Sequence, residues 1–272
     1  MRAPSPTIEW QVAGACNYDC SYCIQSPKYR RGRPERAKME AALGVFAALP
    51  GVWEIKCSGG EAFAHPLFMS LVVPGLMERT PHHLSVLTNF SASHTDLMRF
   101  AQLSRGRLRV FSASLHLEFV TAEDFIAKAR WFTDQLDVEV DFVVNQVLLP
   151  GRLDEARACR DALEEHGIRW FPQWLKVKGR PVDYAEDVEA LVGARRANRS
   201  PSFQGRPCLA GSLYYTVDKD GTAWSCRTAK RYGEGNLGNL FAGTVQRTEG
   251  ARPCPYDICP CTVPVNRGMV RA

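Results

Sequence analysis

The sequence predicts an α/β fold, a partial (β/α)6 barrel followed by a small C-terminal β-hairpin module. From Thr7 to about Phe171, short β-branched or apolar runs alternate with longer amphipathic segments, a pattern typical of βα units around a parallel sheet. Six such strands are found, whereas a complete barrel has eight. After Trp174 the composition changes and a cysteine-rich segment ends the chain.

Each predicted strand is followed by one predicted helix, except the last. The strands are assigned to Ile8–Ala13, Val52–Cys57, Leu84–Thr88, Leu108–Ala113, Val138–Val144 and Ile168–Gln173. The helices fit between them at Ala37–Leu49, Pro66–Arg79, Thr95–Leu103, Thr121–Leu136 and Leu153–His166. Gly167 should end the last helix, because glycine readily adopts the left-handed conformation found after many helices.

The sequence predicts three parts: a barrel (1–175), a linker (176–204) and a C-terminal module (205–272). The linker is rich in Arg, Gly, Pro and Ser, with a short helix expected near Tyr184–Arg195. In the module, Leu213–Val217 and Thr222–Ser225 flank a turn with Gly221, which predicts a hairpin. The segment Arg252–Pro264 is too short to build a core, so a metal is expected to order it.

Composition excludes several classes of protein. The 272 residues are 45% hydrophobic and 23% charged, which excludes disordered, collagenous and coiled-coil chains. The net charge is 34 − 29 = +5, with the densest basic run at Lys28–Arg36; we interpret that run as a solvated loop and expect no nucleic-acid partner. No apolar run reaches the ~20 residues of a membrane span, and no signal peptide is evident, so a cytoplasmic protein is expected.

The ten cysteines are unevenly placed. A reducing compartment disfavours disulfides and favours metal binding or catalysis. Three lie at Cys16, Cys20 and Cys23, and five at Cys208, Cys226, Cys254, Cys259 and Cys261. Cys57 and Cys159 stand alone and are expected to be small buried hydrophobes. The distribution predicts metal sites in both parts of the chain.

Two motifs follow the first two strands. Cys16, Cys20 and Cys23 form CxxxCxxC after the first strand, and Ser58-Gly59-Gly60-Glu61 follows the second. Three thiolates on a four-iron cluster leave one iron free to bind a substrate or cofactor. Paired glycines let backbone approach a ligand closely, and Glu61 can accept from an ammonium group. A zinc site of three cysteines completed by a distant His or Cys is the alternative.

These motifs, over Thr7 to about Trp174, resemble those of the radical S-adenosylmethionine (AdoMet) superfamily. The resemblance implies a partial TIM-like barrel in which Cys16, Cys20 and Cys23 hold a 4Fe–4S cluster that binds AdoMet. It implies that Tyr22 meets the adenine, that Gly59, Gly60 and Glu61 bind the methionine ammonium, and that Thr88, Asn89, Ser112 and Ser114 hold the carboxylate and ribose. It also implies cleavage of AdoMet to a 5′-deoxyadenosyl radical, which removes a substrate hydrogen, and a reductant such as flavodoxin or ferredoxin.

Other polar residues follow the later strands. His116 is a candidate substrate ligand or proton relay, or equally a polar loop residue. Asn145, Gln146 and Gln173 are candidate substrate or ribose contacts from their position alone. The other histidines, His65, His82, His83, His94 and His166, are expected at the surface.

The C-terminal cysteines form a second pattern. Cys208 precedes Gly221 by twelve intervening residues, and Cys226 follows after four more. The pattern resembles the SPASM/twitch extension of the same superfamily, which implies an auxiliary 4Fe–4S cluster bound by Cys208, Cys226 and two of Cys254, Cys259 and Cys261. A zinc ribbon with the same ligands is the alternative.

The sequence therefore predicts a radical AdoMet enzyme. The favoured substrate is a small polar metabolite that is dehydrogenated or epimerised. Oxidation or cross-linking of a peptide or protein side chain is the second hypothesis, and a zinc-dependent binding module is a third from another class.

Overall fold

The structure is a computed structural model that describes residues 4–177, 180–184, 188, 191, 202–257, 259 and 262–270. Its first six strands alternate with helices: β1 (Thr7–Ala13), α1 (Arg36–Ala47), β2 (Glu54–Gly59), a π-helical turn (Phe68–Val72) leading into α2 (Val73–Arg79), β3 (His83–Thr88), α3 (His94–Ser104), β4 (Leu108–Leu115), α4 (Ala122–Thr133), β5 (Asp141–Leu148), α5 (Leu153–Glu165) and β6 (Arg169–Trp174). The later elements are short: β7 (Lys176–Val177), β8 (Arg180–Pro181), β9 (Pro207–Cys208), β10 (Tyr214–Val217), β11 (Thr222–Trp224), α6 (Arg227–Arg231), β12 (Asn236–Asn239), β13 (Arg252–Pro253) and α7 (Thr262–Asn266).

The central sheet confirms the predicted fold class. Nine described strands pair in the order β12-β11-β10-β1-β2-β3-β4-β5-β6, and β1 to β6 are parallel. In the described part of the chain β12 and β6 do not pair with each other, so the sheet does not close into a complete barrel. No helix there has the length and hydropathy that a membrane crossing needs.

The C-terminal hairpin continues this sheet. Strand β10 pairs in parallel with β1, with Thr7 opposite Tyr214, and β11 and β12 follow antiparallel. Tyr215 and Val217 join the same apolar core as the barrel helices. The predicted turn is confirmed: Asp218 donates its N–H to the Thr222 carbonyl at 2.9 Å, and Gly221 has φ +87°.

The two faces of the sheet differ in chemistry because side chains alternate along each strand. Ile8, Trp10 and Val12 of β1 lie under the helices, where Trp10 packs edge-on against Phe46 with ring centroids 5.3 Å apart. The opposite face, called the inner face below, carries Glu9, Glu54 and Lys56. The apolar core therefore lies between the sheet and its helices.

Residues of the C-terminal segment neutralise the inner face. Glu9 is buried and lies 3.4 Å from Lys56 Nζ and 2.9 Å from Arg227 Nε, and it accepts from the Tyr214 hydroxyl at 2.5 Å. Burial alone would raise the pKa of Glu9, but Arg227 and Lys56 hold it well below its usual range. Glu54 pairs in the same way with Arg267, at 2.5 Å.

Several predicted boundaries are wrong by a few residues. The fifth strand begins at Asp141 rather than Val138, because residues 137–140 form a turn in which Val140 bonds the Asp137 carbonyl and Val138 is 94% exposed. Strand β2 continues past Cys57 to Gly59. Gly167 ends α5 as predicted, with φ +68°.

The predicted linker lies partly outside the described residues, and so does most of its short helix. In the described part, β7 pairs with β8. The Tyr184 hydroxyl donates to the Leu148 carbonyl at 2.7 Å and accepts from Leu175 N–H at 2.9 Å. Tyr184 therefore anchors this segment to the ends of β5 and β6.

The prediction that every other histidine is at the surface is wrong for His65 and His82, which are both buried. His82 Nδ1 accepts from Trp53 N–H at 3.2 Å, so its proton is on Nε2, which donates to the Phe46 carbonyl at 2.8 Å. Burial lowers the pKa of His82. The neutral ring thus joins α1, the start of β2 and the start of β3.

We expect His82 to make stability depend on pH. Below about pH 6.5 the unfolded chain takes up a proton that the folded ring resists, so the free energy of unfolding falls as the pH drops toward the lowered folded pKa. His82→Gln should cost about 1–3 kcal/mol near neutral pH, by weakening two buried hydrogen bonds, and its deficit should shrink toward about pH 5. Urea unfolding of wild type, His82→Gln and the exposed control His166→Gln at several pH values measures this; a constant deficit would contradict it.

Candidate functional site

The three N-terminal cysteines lie on a loop directly after β1, called the cysteine loop (residues 14–23). The carboxyl ends of β1 to β4 lie at one edge of the sheet because these strands are parallel. Catalytic residues in α/β barrels lie at this edge. Residues at this edge hold the cysteine loop through hydrogen bonds.

The glycine pair packs against the root of the cysteine loop. Gly60 N–H donates to the Ala13 carbonyl at 2.9 Å, and Glu61 N–H donates to the Ala15 carbonyl at 3.0 Å. A Cβ at Gly60 would lie 2.2 Å from the Ala15 oxygen, and one at Gly59, where φ is +141°, would lie 2.2 Å from the Ala13 oxygen. The sequence suggested that these glycines admit a ligand; in the structure they admit the chain's own backbone.

Glu61 is fully buried and joins the ends of β2 and β3. Its carboxylate accepts from Phe63 N–H at 3.0 Å, the Thr88 hydroxyl at 2.7 Å and Asn89 N–H at 2.6 Å. Burial raises the pKa of Glu61, and these three hydrogen bonds oppose that effect. Two of the predicted site residues, Thr88 and Asn89, are thus partners of a third.

Asn89 continues the connection to the first cysteine. Its side-chain amide donates to Asn17 Oδ1 at 2.9 Å and lies 3.8 Å from Cys16 Sγ. Asn17 in turn donates to the Ser91 hydroxyl at 2.9 Å. The end of β3 therefore fixes the start of the cysteine loop.

Residues that follow β4 hold the other side of the loop. His116 Nδ1 lies 3.0 Å from the Tyr22 hydroxyl and 3.5 Å from Cys20 Sγ. Glu118 accepts from Ser21 N–H at 2.9 Å and also from the Ser21 hydroxyl. Burial lowers the pKa of His116 to about 4, against a small opposing effect of Glu118, so His116 is neutral at pH 7 and contacts the cysteine loop itself.

The three thiols differ in exposure: Cys20 is buried, Cys16 half-buried and Cys23 exposed. Burial, and then the charges of Cys16 and Cys23, raise the pKa of Cys20 to about 11. Among the residues with described positions, no three His, Cys, Asp or Glu side chains converge on a single-ion site.

Two buried oxygens near the end of β2 have unused hydrogen-bonding capacity. Gln25 donates its amide to the Gly59 carbonyl at 3.3 Å. Its Oε1, and the hydroxyl of Ser58, are buried with no partner among the described atoms. Both can accept from a ligand's ammonium, so the residues here fit AdoMet. Gln25 was missed in the sequence, where a lone glutamine two residues after Cys23 carries no signal.

Predicted polar residues on β4, β5 and β6 form a row. Asn145 donates to the Ser112 hydroxyl at 2.5 Å and accepts from the Gln173 amide at 3.2 Å. Ser114 lies beside Asn145 in the β4–β5 register. Gln146 lies on the other face of β5, where it is buried, accepts from the Trp170 indole at 2.9 Å and lines the cleft beside Tyr22.

A narrow cleft with a free volume of about 10 Å³, room for about one water molecule, lies between the cysteine loop and the start of α5 and is partly open to solvent. Its polar lining includes Tyr22, Glu118 and Arg152. Arg152 precedes α5 and pairs with Glu155 at 2.7 Å. Arg152 was not predicted as a site residue, because nothing in its local sequence separates it from a surface arginine.

The structure also brings C-terminal cysteines together. Cys208 on β9 pairs with Arg252 on β13, two residues before Cys254. Burial and then the charges of Cys254 and Cys226 raise the pKa of Cys208 to about 11. Cys226 Sγ accepts from Ala229 N–H at 3.3 Å and so caps α6. Cys259 is half-buried, and Cys261 lies outside the described residues.

Comparison with known proteins gives one related sequence and several related folds; no protein-family profile matches the chain. The chain is 28% identical over 158 residues to a probable GTP 3′,8-cyclase of Methanothermobacter thermautotrophicus, covering 54% of this chain and 50% of that protein. It therefore spans about half the length of this curated relative.

The related folds all come from distant sequences. Streptococcus suis SuiB bound to the precursor peptide SuiA superposes with a TM-score of 0.63 at 14% identity, over 87% of this chain and 62% of SuiB. AdoMet-bound anSMEcpe gives 0.61 at 13% identity, over 89% and 79%. BtrN in complex with AdoMet and 2-DOIA gives 0.50 at 15% identity, over 90% and 81%.

Together these similarities show a shared fold and a partial relationship in sequence. The α/β fold with a central parallel sheet matches the partial barrels of these structures. Structures of SuiB and of anSMEcpe are recorded with bound AdoMet. The related structures include complexes with a peptide and with a small molecule.

We expect Gly60→Ala to disturb the cysteine loop, since its Cβ would lie 2.2 Å from the Ala15 carbonyl oxygen. Such overpacking should cost about 1–3 kcal/mol of unfolding free energy and speed labelling of the buried Cys20 thiol. Gly44→Ala is the matched control, because an added Cβ there meets no atom within 4 Å and should stabilise α1 by up to about 1 kcal/mol. Urea unfolding and thiol labelling give the comparison; equal behaviour of both variants would contradict the packing.

Proposed function

We propose that this protein is a radical AdoMet enzyme that abstracts a hydrogen atom from its substrate. The observation that carries the proposal is the attachment of the cysteine loop to the carboxyl ends of neighbouring parallel strands. Glu61 holds it from β2, Asn89 from β3, and His116 with Glu118 from beyond β4. Three thiols on one braced loop suit a cluster that keeps an iron open for a ligand.

Different residues of the N-terminal site would bind the cluster and AdoMet. Cys16, Cys20 and Cys23 would hold a 4Fe–4S cluster. When bound, that cluster and AdoMet supply the electron and the 5′-deoxyadenosyl radical that the reaction needs. The unpartnered oxygens of Gln25 and Ser58 would accept from the AdoMet ammonium, while the Glu61 carboxylate, filled by the chain's own donors, fixes Asn89.

The neighbouring polar residues would orient the two ligands. The narrow cleft beside Tyr22, with Arg152 on its wall, has room for a water-sized polar group. Ser112, Asn145 and Gln173 form a hydrogen-bonded row that a hydroxylated or carboxylated molecule can join. Neutral His116 holds the Tyr22 hydroxyl and keeps that ring in place.

We propose a small polar metabolite as substrate, to be dehydrogenated or epimerised. The row on the inner face supports this choice because it offers hydrogen bonds rather than a broad apolar groove. A peptide or protein side chain is the second candidate, favoured by the peptide-bound structures of SuiB and anSMEcpe. A reductant such as flavodoxin or ferredoxin would supply the electron in either case.

A second 4Fe–4S cluster is proposed for the C-terminal module. Cys208, Cys226 and two of Cys254, Cys259 and Cys261 would bind it. When bound, such a cluster supplies an electron acceptor for an oxidation. The pairing of β9, which carries Cys208, with β13, two residues before Cys254, supports a shared site.

We expect Cys16→Ala, Cys20→Ala and Cys23→Ala each to abolish formation of 5′-deoxyadenosine from AdoMet under anaerobic, reducing conditions. Each thiolate would hold a different iron, and losing one opens the site. Cys159→Ala, a buried cysteine outside both sets, is the control and should retain the activity. Chromatographic measurement of 5′-deoxyadenosine tests this prediction. If any of the three variants Cys16→Ala, Cys20→Ala or Cys23→Ala still formed 5′-deoxyadenosine, that cysteine would not be needed to cleave AdoMet. Zinc without iron in anaerobically purified wild type would favour the zinc module instead.

The double variant Cys208→Ala/Cys254→Ala should lose about half the bound iron, because one of two four-iron sites is removed, and should still form 5′-deoxyadenosine. This pair spares Cys226, whose sulfur caps α6. Iron analysis and 5′-deoxyadenosine measurement on the same sample test the prediction. An unchanged iron content would remove these cysteines from any cluster.

A further inference from the structure

The turn of the C-terminal hairpin (residues 218–221) lies against a second loop, residues 28–32, that follows the cysteine loop. Lys219 Nζ donates to the Tyr29 carbonyl at 2.7 Å and to the Arg31 carbonyl at 2.5 Å. It also lies 4.6 Å from the centre of the Tyr29 ring. One ammonium group thus holds two main-chain oxygens of this loop.

Lys230 of α6 approaches the same tyrosine. Its Nζ lies 2.9 Å from the Tyr29 hydroxyl, 2.5 Å from Asp218 Oδ1 and 4.9 Å from the ring centre. Tyr29 therefore contacts two ammonium groups, an arrangement in which cation–π attraction adds to the hydrogen bonds. Asp218 also accepts from the Trp224 indole at 3.0 Å, which ties the pair to the hairpin.

The loop 28–32 is joined in turn to the root of the cysteine loop. The Gly32 carbonyl accepts from Gly14 N–H at 3.1 Å and from Ala15 N–H at 3.2 Å. A Cβ at Gly14 would lie 2.5 Å from the Arg31 oxygen and 2.6 Å from Lys219 Cδ. The contact is therefore tight enough to require glycine, and Ala15 directly precedes Cys16.

We propose that Lys219 and Lys230 are positioning residues of the N-terminal cysteine loop. They act through Tyr29 and the Arg31 carbonyl, which keep Gly32 against Gly14 and Ala15. The inference rests on the proposed function insofar as the loop binds a cluster. It deepens that function because it makes the C-terminal module a support of the N-terminal site.

The ammonium groups matter more than ordinary loop contacts would. Hydrogen bonds from a charged donor are roughly twice as strong as neutral ones. On the side of the cysteine loop that faces the hairpin, these bonds and the Arg30–Asp19 pair are the charged contacts among the described residues. Without Lys219, the loop 28–32 loses the donor that holds the carbonyl oxygens of Tyr29 and Arg31.

The test compares Lys219→Met with Lys28→Met in the full chain. Both variants remove one lysine charge from the same region. Lys28 belongs to the loop 28–32, but its side chain is exposed and makes none of the described contacts with the hairpin. In metal-free protein, amide hydrogen exchange at Gly14 and Ala15 should be about tenfold faster in Lys219→Met, the change expected from losing charge-assisted hydrogen bonds. Exchange at Phe46 in α1 should be unchanged, and Lys219→Arg should restore part of the protection. Equal exchange in Lys219→Met and Lys28→Met would overturn the proposal.

A second readout addresses the cluster. After reconstitution, the electron paramagnetic resonance signal of the reduced protein and its change on adding AdoMet should be weaker in Lys219→Met than in Lys28→Met. Equal signals would show that the loop does not need this support and would also overturn the proposal. If wild type itself takes up no iron, the proposed function fails, whereas the exchange comparison still decides whether Lys219 holds the loop.

Discussion

The site depends on one buried carboxylate. Glu61 is removed from water, and no described residue gives it a cationic partner, a costly state unless hydrogen bonds compensate for it. The Thr88 hydroxyl and the main-chain N–H groups of Phe63 and Asn89 do so. Because two of these donors come from the end of β3 and the Glu61 N–H binds Ala15, the same residue connects β2, β3 and the cysteine loop. Close approach of the Gly60 backbone allows this arrangement.

Charges on the inner face tie the C-terminal segment to the barrel. Glu9 and Glu54 lie on neighbouring strands and are almost fully buried, and Arg227 and Arg267 supply their partners. Removing one member of such a buried pair costs about 3–5 kcal/mol, because the other charge is left uncompensated. Burial of Tyr215 in the core that it shares with the barrel helices also holds the C-terminal segment to the barrel. The barrel sheet therefore needs residues that come some 200 positions later in the chain, as the contact between Tyr214 and Glu9 shows.

The sequence predicted the strands and the turn whose formation depends mainly on neighbouring residues. Hydrophobic periodicity located all six parallel strands, and the glycine of the 218–221 turn located the hairpin. Pairing of β10 with β1 was not predictable, because sheet register depends on contacts between distant segments. The face of β5 on which Gln146 lies changes if the strand is shifted by one residue, so its contact with Trp170 was not predictable. The burial of His82 depends on hydrogen bonds to Trp53 and Phe46, which belong to other elements. The supporting contacts of Lys219 were hidden for the same reason.

The cap of α6 links the two groups of cysteines. Cys226 Sγ accepts from Ala229 N–H, and the helix that it begins carries Arg227, which reaches Glu9, and Lys230, which reaches Tyr29. The position of Cys226 and the contacts that support β1 and the loop beside the N-terminal cysteines therefore depend on a single element, α6.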